Sequence, residues 1–174
     1  MPAPAAKRAN APATAAPSTV PSGPGIPNIN PATGLSTDYL NHFTEAVMVL
    51  EMMPTMPECA EDFLAWQPKT YCEHFAAAHF SGRDLAIASY EAADPELSRS
   101  LDTLADVMNT LLLATREAIA SDPAAAKSLA LAARTAKVLK PIITRVSALI
   151  NGTAPALSNR SSVPQHAVDA VFAR

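Results

Sequence analysis

The chain has 174 residues, a formal net charge of −3, 49 % hydrophobic but only 5 % aromatic residues, five glycines and two cysteines. That length suits one domain with flanking segments. The near-neutral balance excludes a strongly basic nucleic-acid footprint, and two cysteines make no disulfide framework, so both are expected as reduced thiols in the cytosol. Alanine and leucine dominate and no alternating run of Val, Ile and Thr occurs, which predicts an all-α fold.

Residues 1–35 hold eight of the 16 prolines, spaced by Ala, Ser, Thr and Asn. Such a segment buries too little apolar surface to offset its ordering entropy, so a disordered tail is expected there. No apolar stretch follows Lys7 and Arg8, so no secretory leader is expected. The longest uncharged apolar run, near 46–50, falls far short of the roughly 20 residues of a membrane span.

A helical domain is predicted over 36–151, a linker over 152–162 and a short amphipathic peptide over 163–174. The capping residues of 33–38 lead into a helix over 37–53, with Leu40, Phe43, Val47 and Leu50 on one stripe. Pro54 ends it. Pro57-Glu58 opens a short helix carrying Cys59, Phe63 and Trp66. Beyond Pro68, Tyr71, Phe75, Ala78, Gly82, Leu85 and Ser89 recur at helical spacing and predict one helix to about residue 93. Asp94-Pro95 and Asp122-Pro123 each pair a capping acid with a first-turn proline. Between them Leu97, Leu101, Leu104, Met108, Leu111 and Thr115 mark a bundle seam. The last long helix presents Leu131, Val138, Leu139, Ile142, Val146 and Leu149, with a kink expected at Pro141 and an end at Asn151-Gly152. Four long helices and one short one predict an antiparallel four-helix-type bundle.

Charge is segregated along this chain. Residues 36–122 carry four basic and 15 acidic side chains, and residues 123–174 carry seven basic and one acidic, Asp169. A basic last helix lying against acidic neighbours in one bundle accounts for that pattern.

Chemistry-bearing residues are sparse. His42, His74, His79 and His166 with Cys59 and Cys72 match no metal-site spacing, and no Glu-x-x-His pair occurs, so no metal or other cofactor is expected. A metal or haem sensor using His42, His74, His79 or Cys72 is the third-ranked function. No Gly-rich phosphate loop or nucleophile–base arrangement appears, so no catalytic residue is assigned and the chain is not expected to be an enzyme. Met48, Met52, Met53 and Met56 cluster beside Cys59, where methionines adapt to irregular surfaces. Met48 and Met52 are therefore candidates for a partner or homodimer contact, against the plainer alternative of core covered by the Phe63/Trp66 helix.

Two short segments carry resemblances. The run Ala78-His79-Phe80-Ser81-Gly82-Arg83 loosely resembles the phosphorylated segment of histidine phosphotransfer domains, with its glycine and basic residue in inverted order. That resemblance implies an exposed helical phosphoacceptor, His79. Residues 163–172 resemble the response-regulator docking peptide of flagellar switch and chemotaxis proteins. Gln165, Asp169 and Ala170 match it, and Val163, Val168, Val171 and Phe172 keep its apolar character. Pro164 and Ala167 stand where the peptide has a serine and an acid. The resemblance implies a protein partner, a receiver domain, contacted by Gln165, Val168, Asp169, Val171 and Phe172 through folding on binding. The expected function is a non-enzymatic helical-bundle adaptor in two-component or motility signalling, with a histidine phosphotransfer protein as the alternative.

Overall fold

A computed structural model of the chain describes residues 28–79 and 81–157. The described residues form six α-helices: α1 (Asn41–Met52), α2 (Ala60–Ala65), α3 (Tyr71–Ala77), α4 (Arg83–Glu91), α5 (Pro95–Ile119) and α6 (Ala126–Ile150). Turns of 3-10 helix at Thr37–Leu40 and Pro57–Cys59 lead into α1 and α2. The protein is all-α among these residues, with one isolated bridge between Ile29 and Ser36.

The two 25-residue helices α5 and α6 pack along one another, and α1 lies on α6. Leu101, Leu104, Met108 and Leu111 of the predicted seam are buried, as are Leu131, Leu139, Val146 and Leu149 opposite them. Phe43, Val47 and Leu50 close the core from α1. Asp94 caps α5, its carboxylate accepting from the Glu96 and Leu97 amides at 2.7 and 3.3 Å. A capping box starts α3: the Thr70 hydroxyl accepts from the Glu73 amide at 3.2 Å, and the Glu73 carboxylate accepts from the Thr70 amide at 2.8 Å.

Several boundaries differ from the sequence expectation. The single helix expected from residue 71 to 93 is two helices. Ala78 turns extended (ψ 140°), and Gly82 caps α4. Ser81 and Gly82 favour cap and turn geometry over a helix interior, while the apolar stripe runs on across the break and hides it. Asp122-Pro123 forms a turn ahead of α6 rather than its cap, with the Asp122 carbonyl accepting from the Ser128 hydroxyl at 2.7 Å. Pro141 lies within α6, which continues through it.

The folded unit also extends past both predicted edges. Residues 28–35, assigned from composition to the disordered tail, include buried Ile29, Thr33 and Leu35. Thr33 donates from its hydroxyl to the Ile150 carbonyl at 2.6 Å, and Tyr71 accepts from the Ser36 amide at 2.8 Å. Gly34 stands at φ 72° in the turn between. Residues 152–157, assigned to the linker, fold back as well. The Leu157 amide donates to the Ser100 hydroxyl at 2.9 Å, and Arg145 donates to the Pro155 carbonyl at 3.0 Å. Residues 1–27 and 158–174 lie outside the described residues.

Thr115 on α5 and Thr135 on α6 are both fully buried, with their hydroxyl oxygens 2.8 Å apart. Thr115 donates to the Leu111 carbonyl at 2.8 Å, which leaves Thr135 as the donor in the shared bond. Thr115→Val is therefore expected to orphan a buried hydroxyl and cost about 1–3 kcal/mol, whereas Thr135→Val should cost less. Urea melts of both variants check the order, and an equal or reversed ranking would refute this donor assignment.

Candidate partner-binding surface

On α1, residues spaced by four and three share a face, so Glu45, Val49 and Met52 follow one another along one side. α2 supplies the facing wall. Together they line an open groove of about 270 Å³ with Glu45, Ala46 and Val49 on one side and Asp62, Phe63, Ala65 and Trp66 on the other. The lining carries two carboxylates and no cation.

Trp66 is the fixed point of this groove. Its indole Nε1 donates to the His42 carbonyl at 3.2 Å, and its ring stacks on the His42 imidazole with centroids 4.8 Å apart and planes 23° apart. Its own carbonyl accepts from the Arg116 guanidinium at 2.7 Å, and its amide donates to Phe63 at 3.1 Å. The indole is thus held against α1 by His42, while α2 and α5 hold the backbone of the same residue, and a ring fixed in this way loses little freedom when a ligand covers it.

The methionines divide. Met53 is fully buried in the core. Met52 is half-buried. Met48 is 54 % exposed and Met56 42 % exposed, two of the three large exposed apolar side chains among the described residues. Met48 lies three residues beyond the groove-lining Glu45, on the neighbouring side of α1, and is the exposed methionine of that helix. Glu45, Val49 and Asp62 were not singled out from sequence. Their spacing on α1 was legible, but the position of α2 against them was not.

Behind Trp66 lies an aromatic cluster. Tyr39, Tyr71, Tyr90 and Phe75 join at centroid distances of 4.6–5.2 Å. Burial holds all three tyrosine hydroxyls above their ordinary pKa. Tyr39 donates to the Lys69 carbonyl at 2.8 Å, and Tyr90 donates to the Asp102 carboxylate at 2.7 Å. Burial raises the Asp102 carboxyl against that hydrogen bond. His42 is 6 % exposed, and its Nε2 is buried without a hydrogen-bond partner. Burial, then the neighbouring His74 and Lys69, bring its pKa down to about 4. His74 sits 6.0 Å from it and is lowered too, by burial and by Lys69.

The other candidates are not brought together. His79 is exposed and lies between α3 and α4, so the helical setting expected of a phosphoacceptor is not found. Among the described residues no three His, Cys, Asp or Glu side chains converge as a metal site. Cys59 is buried and Cys72 half-buried, both unpaired, with the Cys72 thiol pushed up by burial. His42 and His74 pack with the aromatic rings instead. Gln165, Val168, Asp169, Val171 and Phe172 lie outside the described residues, as does His166. No described helix is long and apolar enough to cross a membrane.

No family model, curated protein or solved structure matches the chain.

Proposed function

We propose that this chain is a non-enzymatic helical adaptor that holds a protein partner on the α1–α2 face. The supporting observation is the groove itself: apolar walls, an immobilised Trp66 and an exposed Met48 at its edge. Exposed apolar area beside a preorganised aromatic anchor is the usual composition of an interaction hot spot. A four-helix arrangement, with α1, α5 and α6 completed by the broken α3–α4 segment, provides the rigid platform. The unpaired cysteines fit a cytosolic setting.

Within the same proposal, residues 163–172 dock a receiver domain and place the adaptor in two-component or chemotaxis signalling. This second contact is supported by the sequence resemblance alone. Self-association through the α1–α2 face is the competing use of the surface.

One comparison separates these contacts. Full-length protein, its Met48→Lys variant and its Val168→Ala/Phe172→Ala variant are cross-linked in native lysate, with a sedimentation run on each. The Met48→Lys substitution should abolish one set of cross-links at unchanged thermal stability, and the tail substitutions should abolish binding of receiver domains. Cross-links unaffected by Met48→Lys would remove the α1–α2 face from the function. A dimer that dissociates with Met48→Lys would reassign that face to self-association.

A further inference from the structure

Two chemical features of the α1–α2 groove restrict what it can accept. The first is shape. The groove runs between two helices, and the described residues offer no sheet edge on which an extended peptide could add a strand. α1 spans 12 residues, about 18 Å at 1.5 Å per residue. A complementary helix of three to four turns laid along α1 would set residues spaced i, i+3 and i+4 against Val49, Ala65 and Trp66, in the helix-in-groove mode.

The second feature is charge. From residue 36 to residue 68 the chain has six acidic side chains and no Lys or Arg. Glu51 is engaged by Lys140. Glu45 and Asp62 stand on opposite walls of the groove. Arg116, which reaches this region from α5, is committed to the Trp66 carbonyl at 2.7 Å. A ligand bringing carboxylates would meet like charge on both walls, while one bringing Lys or Arg at its flanks would meet a complementary pair.

We infer that the α1–α2 groove receives a basic amphipathic helix of a partner protein, its apolar stripe on Val49, Ala65, Trp66 and Met48 and its flanking cations on Glu45 and Asp62. This inference rests on the protein-binding function proposed above and specifies the partner's chemistry. Methionine side chains at the edge let the surface adapt to different apolar anchors.

Trp66 is the sole tryptophan, so its fluorescence reads the groove directly. The full chain is titrated with a panel of helical peptides of about 18 residues, long enough to span α1. The panel carries Leu, Phe or Met anchors on otherwise fixed scaffolds, each made once with Lys/Arg and once with Glu on the polar face. At least one cationic peptide should shift Trp66 emission and bind. Its affinity should fall about tenfold in Glu45→Gln/Asp62→Asn and fall as salt is raised, while its Glu twin should not bind.

If cationic and anionic twins bind equally, the charge inference is overturned and the protein-binding surface stands. If no peptide of either charge binds, both fall. If the cationic peptides bind only after Val168→Ala/Phe172→Ala, the chain's own terminus is the occupant, and the assignment to a partner's helix is overturned.

Discussion

Between pH 6.5 and pH 4 the fold is expected to lose about 3 kcal/mol through His42 alone. The imidazole titrates near 6.5 in the unfolded chain and near 4 in the folded protein. Across that window the unfolded state binds a proton that the folded state refuses. Each pKa unit of difference is worth about 1.4 kcal/mol. His42's contribution is therefore fully present above pH 6.5 and is lost as pH falls towards 4. The cause is geometric: the ring is buried against Trp66 and Phe43, with an unpartnered Nε2 and His74 6.0 Å away.

Other groups face this site. Lys69 opposes protonation of both imidazoles, whereas Glu45 and Asp38 favour it at His74. His74 should add a smaller loss of the same sign. His42→Phe can retain a ring against Trp66 and cannot titrate, so the difference between its pH–stability curve and that of the native chain isolates the effect. Urea denaturation from pH 4 to pH 7.5 gives both curves. Parallel curves would show that His42 is not held neutral by the fold.

The second large effect is expected at Gly34. Its φ of 72° belongs to the left-handed region, and a Cβ built there would lie 2.9 Å from the Ser89 backbone carbonyl oxygen of α4. The left-handed conformation costs an alanine about 1–2 kcal/mol. The close approach adds the cost of moving the turn away from a helix backbone, which cannot rotate aside as a side chain would. Gly34→Ala should therefore destabilise by about 3 kcal/mol in total, as a substitution forced into an incompatible backbone.

Gly152 is the internal control. It has a similar φ of 69°, but its Cβ would meet only the Thr33 Cγ2 at an ordinary 3.5 Å. It closes α6 with paired bonds, its amide to Leu149 at 3.0 Å and the Thr153 amide to Ala148 at 2.9 Å. Gly152→Ala should cost only the conformational part, about 1–2 kcal/mol. Chemical denaturation of both variants tests the difference. Equal losses would mean that the 28–36 turn yields freely and does not grip α4.

The elements most legible in the sequence were those whose local signals agreed with one another. α5 had a capping Asp94, a first-turn proline and an unbroken seam, and it forms as expected over Pro95–Ile119. The end of α6 at Asn151-Gly152 was equally readable. Residues 71–93 failed because a helical stripe says which side chains face inward but not whether the backbone between them is continuous. Asp122-Pro123 failed because the same two residues also suit a turn, and the Ser128 hydroxyl that satisfies the Asp122 carbonyl lies a helical turn beyond the local signal. Residues 28–35 look like their proline-rich neighbours in composition. Their place in the fold depends on Ile150, which Thr33 bonds across 117 residues, and on Tyr71, which holds the adjoining Ser36 from 35 residues away.

The candidate surface was half legible. A methionine cluster on the first helix pointed to this region, and Met48 within it is exposed. The groove arises from how α2 returns across α1, and the pinning of Trp66 depends on Arg116, 50 residues further along the chain. No local pattern encodes that contact.

The packing of α1 on α6 also sets an order of events during synthesis. Phe43, Val47 and Leu50 emerge from the ribosome early, while the helix that covers them, residues 126–150, is among the last described segments to be made. At roughly 5–20 residues per second, the apolar side of α1 waits on the order of 5–20 s for its cover. During that interval the nascent chain exposes an apolar helical face to solvent, so a chaperone acting on nascent chains would find its binding stretch at the front of the domain rather than at the end.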